Sequence, residues 1–183
     1  MKNNYMNLVF FILALFIQQA QSATISLSDT NYSANINDIF TLDIIGQDFT
    51  SNVDGGGVNI IFDPAIINVL SVSIDNDFWD FMNMEGTINN TLGTVNGIMV
   101  NALSSTTDNF TVASIEFQAI TGGTTNILLN DFSFNPWSSG GETISTSYVT
   151  GQVTVSNVPI PAAAWLFGSA LIGLTQVRYR SRK

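Results

Sequence analysis

Carboxylates, hydroxyls, amides and aromatics are the only side chains available for chemistry here, because the 183-residue chain contains no His and no Cys. A Ser-His-Asp or Cys-His nucleophile, a structural zinc site and a disulfide are all excluded. The 14 acids face 5 bases, and the bases are Lys2, Arg178, Arg180, Arg182 and Lys183. Positions 3–177 therefore hold every acid and no cation. Such a segment cannot cradle phosphate with Lys or Arg, and nucleic acid is excluded as a partner of a basic patch.

Three constellations remain. Asp75, Asp77 and Asp80 stand in the string SIDNDFWDFMNMEG, with Glu85 beyond. They fail the helix-loop-helix calcium pattern, since the sixth position from Asp75 is Asp80 and the twelfth is Gly86, where Gly and Glu are required. A solvated acidic loop and a weak extracellular calcium site both fit them. Trp79 and Trp137 each have loop-like neighbours, Asp77-Phe78-Trp79-Asp80 and Asn135-Pro136-Trp137-Ser138. Exposed, either indole offers a flat face for a sugar ring or a protein partner; buried, either closes one end of a core. Glycoside hydrolysis needs two carboxylates about 5 to 9 Å apart. Glu85, Glu116 and Glu142 lie in unrelated contexts, so no catalytic residue is assigned.

The elements that must position these groups read as strands. Phe40, Leu42 and Ile44 alternate with Thr41 and Asp43; Val58, Ile60 and Phe62 with Asn59 and Ile61; Ile115, Phe117 and Ala119 with Glu116 and Gln118; Val153 and Val155 flank Thr154. Period two with one apolar face predicts half-buried strands. Turn residues separate them: Gly55 to Gly57, Asp63-Pro64, Gly93, Gly122-Gly123 and Gly140-Gly141. The fold class is all-β, an antiparallel two-sheet sandwich filling residues 23–157 as one domain. Phe40, Phe62, Phe117, Phe132 and Phe134 are expected in its core.

Both ends read as addresses. Lys2 and a polar run precede ten apolar residues, 8–17, too short to span a bilayer but suited to a secretory leader. Ala20 and Ser22 supply small residues for cleavage before Ala23, making 1–22 a signal peptide; a retained N-terminal anchor is the alternative. Residues 158–183 begin with a Pro-x-Pro element, continue through an apolar stretch, 162–177, and end in a basic tail, 178–183. Sixteen helical residues reach about 24 Å against a hydrocarbon core of about 30 Å, a marginal transmembrane helix. Arg178, Arg180, Arg182 and Lys183 keep that tail cytoplasmic and the domain outside.

Two resemblances sharpen these readings. Val158, Pro159, Pro161 and Ala162, followed by a short apolar helix and an Arg cluster, resemble the PEP-CTERM class of bacterial sorting signals in its Val-Pro-Leu-Pro-Ala variant, with Ile160 in place of Leu. This implies a Gram-negative envelope protein that is handled by an exosortase-like processing enzyme and held, at least transiently, in the membrane. An ordinary tail anchor is the alternative. In the domain, Asp38-Ile39-Phe40-Thr41-Leu42-Asp43-Ile44, a Gly-rich turn, residues 58–62, Asp63-Pro64 and Ile67-Asn68-Val69-Leu70-Ser71-Val72 resemble the opening of a cohesin domain. Val112-Ala113-Ser114-Ile115-Glu116-Phe117, Gly122-Gly123 and the run 126–129 are similar to its later strands. Residues 74–95 match no part of that pattern. The resemblance implies a jelly roll of about nine strands, related to carbohydrate-binding modules, that binds a dockerin-type protein or a polysaccharide without catalysis. A matrix or biofilm protein with no specific ligand, and a carboxylate-based glycoside hydrolase, stand as alternatives.

Overall fold

The computed structural model describes residues 22–157. The expected leader core, sorting motif, transmembrane stretch 162–177 and basic tail all lie outside them. Among the described residues no helix is long and apolar enough to cross a membrane.

The strands are β1 (Ala23–Leu27), β2 (Asn31–Asn35), β3 (Ile39–Ile61), β4 (Ile67–Ser73), β5 (Met84–Asn89), β6 (Thr94–Ala119), β7 (Gly123–Asp131), β8 (Ser138–Ser139), β9 (Glu142–Thr143), β10 (Thr146–Tyr148) and β11 (Gly151–Ser156). β3 and β6 form one antiparallel ribbon, paired from Ile39 opposite Gln118 to Ile61 opposite Thr94 with five register shifts between. Held straight, the 23 residues of β3 would run to about 75 Å. Yet the rings of Phe62, just past one end, and Phe117, near the other, have centroids 6.4 Å apart. The ribbon therefore folds back on itself. Four of its five register shifts fall between Ile44 and Gly55, where Asp48 takes a left-handed backbone (φ 60°), and bulges of this kind bend and twist a strand.

Each half of the bent ribbon seeds one sheet. Residues 39–46 and 110–118 are flanked by β1 and β4, with β10 added parallel to β1. Residues 55–61 and 94–101 are flanked by β5 and by residues 128–131 of β7. The first half of β7 pairs instead with β11, which carries β2 parallel at its edge. The expected antiparallel sandwich is thus present with two parallel edge pairs and eleven strand segments.

Period two decides which side chains enter the core. Phe40, Leu42, Ile44, Val58, Ile60, Ile115, Phe117, Ala119, Val153 and Val155 are all buried. Two aromatic clusters cap the core. Tyr32, Phe40, Phe117 and Phe62 gather where the ribbon ends meet. Phe49, Phe110, Trp79 and Trp137 gather at the bend.

Two expectations are corrected. Gly55, Gly56 and Gly57 form no turn: they continue β3, and a Cβ on Gly56 would lie 2.1 Å from Cδ2 of Trp137. Glycine here makes room for a ring, one of its recurrent uses inside strands. Phe134 is not in the core but 89% exposed, and Phe132 is only half-buried, because both follow the last paired residue of β7 and cross the outside of the sheet.

Candidate binding surface

Trp79 and Trp137 were open between ligand platform and core, and the structure decides for core. They are 0% and 1% exposed, so neither indole has a free face for a sugar or a partner. The loop after β4 turns inward because the Asp75 carbonyl accepts the Trp79 amide (2.8 Å) while its carboxylate accepts the amides of Asp77 (3.0 Å) and Phe78 (3.3 Å). Trp79 Nε1 then donates to the Thr111 carbonyl at 2.8 Å. Trp137 Nε1 has no partner at hydrogen-bonding geometry. It lies toward the Tyr148 hydroxyl, which donates to Asp131 at 3.1 Å. Burial, and then the Asp131 carboxylate, push the Tyr148 pKa well above the usual tyrosine value, with the indole N–H pulling weakly the other way.

Two of the three acids, Asp75 and Asp80, do structural work. Asp75 closes the turn just described, and Asp80 accepts the Leu103 amide at 2.7 Å, pinning the loop to β6. Asp77 is exposed and stands apart from that anchoring. Among the described residues no three acidic side chains converge as metal ligands would. Glu85, Glu116 and Glu142 sit on β5, β6 and β9, and Glu116 accepts the Ser71 hydroxyl (3.4 Å) on an outer face.

Residues 74–83, unassigned from sequence, are tied to the sheet by asparagines. Asn83 donates to Asn76 (3.0 Å) and to the Trp79 carbonyl, and accepts the Asn101 amide (2.9 Å). Asn101 donates to the Met82 carbonyl (3.2 Å) and accepts from Asn135 (3.2 Å). The network brings Met82 beside β6 and the segment carrying Phe132 and Phe134.

An apolar outer face results on the sheet of β5, β6, β3 and β7. Val58, Ile60, Ile98 and Val100 face the core, so their neighbours in each strand face outward. Register sets Ile61 beside Leu128, Gly57 beside Met99, and Met99 beside Met84. Phe132 lies across this face, close to where a Cβ on Gly57 (2.9 Å) or Gly97 (3.4 Å) would stand. Phe134 packs on it with ring centroids 5.6 Å apart. Met82 and Met84 are 69% and 53% exposed. The opposite outer face pairs Thr41 with Glu116, Asp43 with Ser114 and Asn68 with Gln118, and Ser114 donates to Asp43 at 2.6 Å. One face is apolar and amide-rich, the other hydroxylic and acidic. Composition could not show this difference; the missed signal was that Met82, Met84 and Met99 are the only methionines between residues 22 and 157.

No family model matches the sequence, and no curated protein matches it. Solved structures do. A chain of the Coh-OlpA-Doc918 complex, a type I cohesin–dockerin complex from Clostridium thermocellum, superposes with a TM-score of 0.61 at 10% identity, over 74% of this chain and 100% of that one. The seventh ScaB type I cohesin from Pseudobacteroides cellulosolvens gives 0.56 at 13% identity over 76% and 96%. A non-cellulosomal cohesin from the archaeon Archaeoglobus fulgidus gives 0.56 at 8% over 74% and 92%. The chain is thus similar to whole cohesin modules, and its sandwich has the cohesin fold.

Proposed function

We propose that the protein is a secreted, non-catalytic binding module that receives a dockerin-type protein on the outer face of the β5–β6–β3–β7 sheet. The asymmetry between the two outer faces carries this reading. Met and aromatic anchors, ringed by amides and free of charge at the centre, are the composition of a protein-binding patch. Cohesins of this fold have been solved in complex with dockerins, which supports the class of partner. The absence of any cation between residues 3 and 177 selects further, favouring neutral or basic partners over acidic ones. A polysaccharide ligand is the weaker reading, since both indoles of the domain are buried.

Delivery rests on the sequence. Cleavage before Ala23 leaves the sandwich whole, because Ala23 opens β1. Val158, Pro159, Pro161 and Ala162 would engage the exosortase-like enzyme, with Arg178, Arg180, Arg182 and Lys183 holding the tail inside until processing. The test is capture by a panel of dockerins alongside a glycan array. Phe134→Asp and Met84→Lys should each weaken capture at least about tenfold with unchanged melting. A folded domain that takes no dockerin at millimolar concentration sinks the proposal.

A further inference from the structure

Met84 and Met99 lie side by side on the apolar outer face, Met82 is tied through its carbonyl to Asn101 at the edge of the same sheet, and the core of the described residues contains no methionine. Met82 and Met84 are well exposed, and Met99 is half-buried beside Met84. An oxidant meets little else to attack. The chain has no Cys, and both indoles of the sandwich are shielded. Among the described residues the accessible thioethers are therefore the groups most open to a peroxide, and they are gathered at the β5–β6 side of one sheet.

We propose that these three methionines form an oxidation-sensitive patch through which peroxide converts this face from apolar to polar while the sandwich stays folded. In each step the thioether sulfur gives an electron pair to one peroxide oxygen. The O–O bond breaks, one S–O bond forms, the sulfur is oxidised by two electrons, and hydrogen peroxide is reduced to water. The sulfoxide product is a strongly polar acceptor, so three of them strip the apolar character from the surface around Phe132 and Phe134. No buried packing is disturbed, since no core side chain among the described residues is a thioether. The effect on function rests on the reading of this face as the docking site: a partner would be released on oxidation and regained when a methionine sulfoxide reductase restores the thioethers.

The experiment treats residues 23–157, which match whole cohesin modules, with hydrogen peroxide. Peptide mass spectrometry follows each methionine, thermal melting follows the fold, and retention on a hydrophobic-interaction column follows the face. The expected result is conversion of all three at rates within about tenfold of free methionine, cooperative melting throughout, and shortened retention. The M82L/M84L/M99L variant should keep full retention and ignore peroxide. Full conversion with unchanged retention, protection of the three sulfurs, or loss of cooperative melting each overturns the proposal. Dockerin capture is measured in parallel. If the reduced protein captures none, the functional reading fails while retention still decides the oxidation claim; if oxidised and reduced proteins capture equally, the oxidation claim fails and the functional reading stands.

Discussion

Gly56 shows how much a single hydrogen can matter. Its missing side chain lets the Trp137 ring lie directly on β3, next to Phe49 and Phe110. Gly56→Ala places a methyl 2.1 Å from ring carbon, against a strand that cannot retreat because β6 is bonded along it. We expect a loss of about 1–3 kcal/mol in urea unfolding, the usual scale of overpacking. Tyr148 gives a pH signature. Its raised pKa means that the neutral phenol is favoured more in the folded than in the unfolded chain. The stability this provides is complete below the unfolded value of about 10 and is lost as pH rises toward the folded value. Melting of the wild-type domain should therefore decline more steeply above about pH 10 than that of Tyr148→Phe; parallel declines would show that this phenol contributes nothing.

Among the elements, the folded-back ribbon of β3 and β6 governs the architecture. Two alternating runs, Phe40 to Ile44 and Val58 to Phe62, were legible in the sequence as two strands with a glycine turn between them. They are one strand, bent where its pairing slips. The slip is invisible in one strand's sequence because a bulge is a property of two strands in register. The loop of residues 74–83 was illegible for a related reason: its order comes from Asp80 on the Leu103 amide and from asparagines bonded to distant strands. Asp80→Ala should free that amide and speed hydrogen exchange at Leu103 and through the loop by about tenfold, with a smaller effect on global melting. Unchanged exchange would show that Asp80 does not anchor the loop.

For the whole molecule, charge is of one sign between residues 3 and 177. All 14 acids fall between residues 29 and 142 with no compensating base, so the folded domain repels itself more than the expanded chain does. Raising NaCl from about 0.01 to 0.15 M shortens the Debye length from about 30 to about 8 Å and should raise the melting temperature; a flat response would show that the acids are too dispersed to matter. That imbalance, the absence of His and Cys, and the period-two runs are properties of residue types and local order, and the sequence by itself determined what they imply: the excluded chemistries, the strands and the class of fold. Tertiary structure alone decided that Trp79 and Trp137 are buried while Phe134 is exposed, that Gly56 makes room for an indole, and that Met84 meets Met99 on one face. Each of those outcomes depends on which strands lie side by side and which face of a sheet is covered, and long-range register sets both.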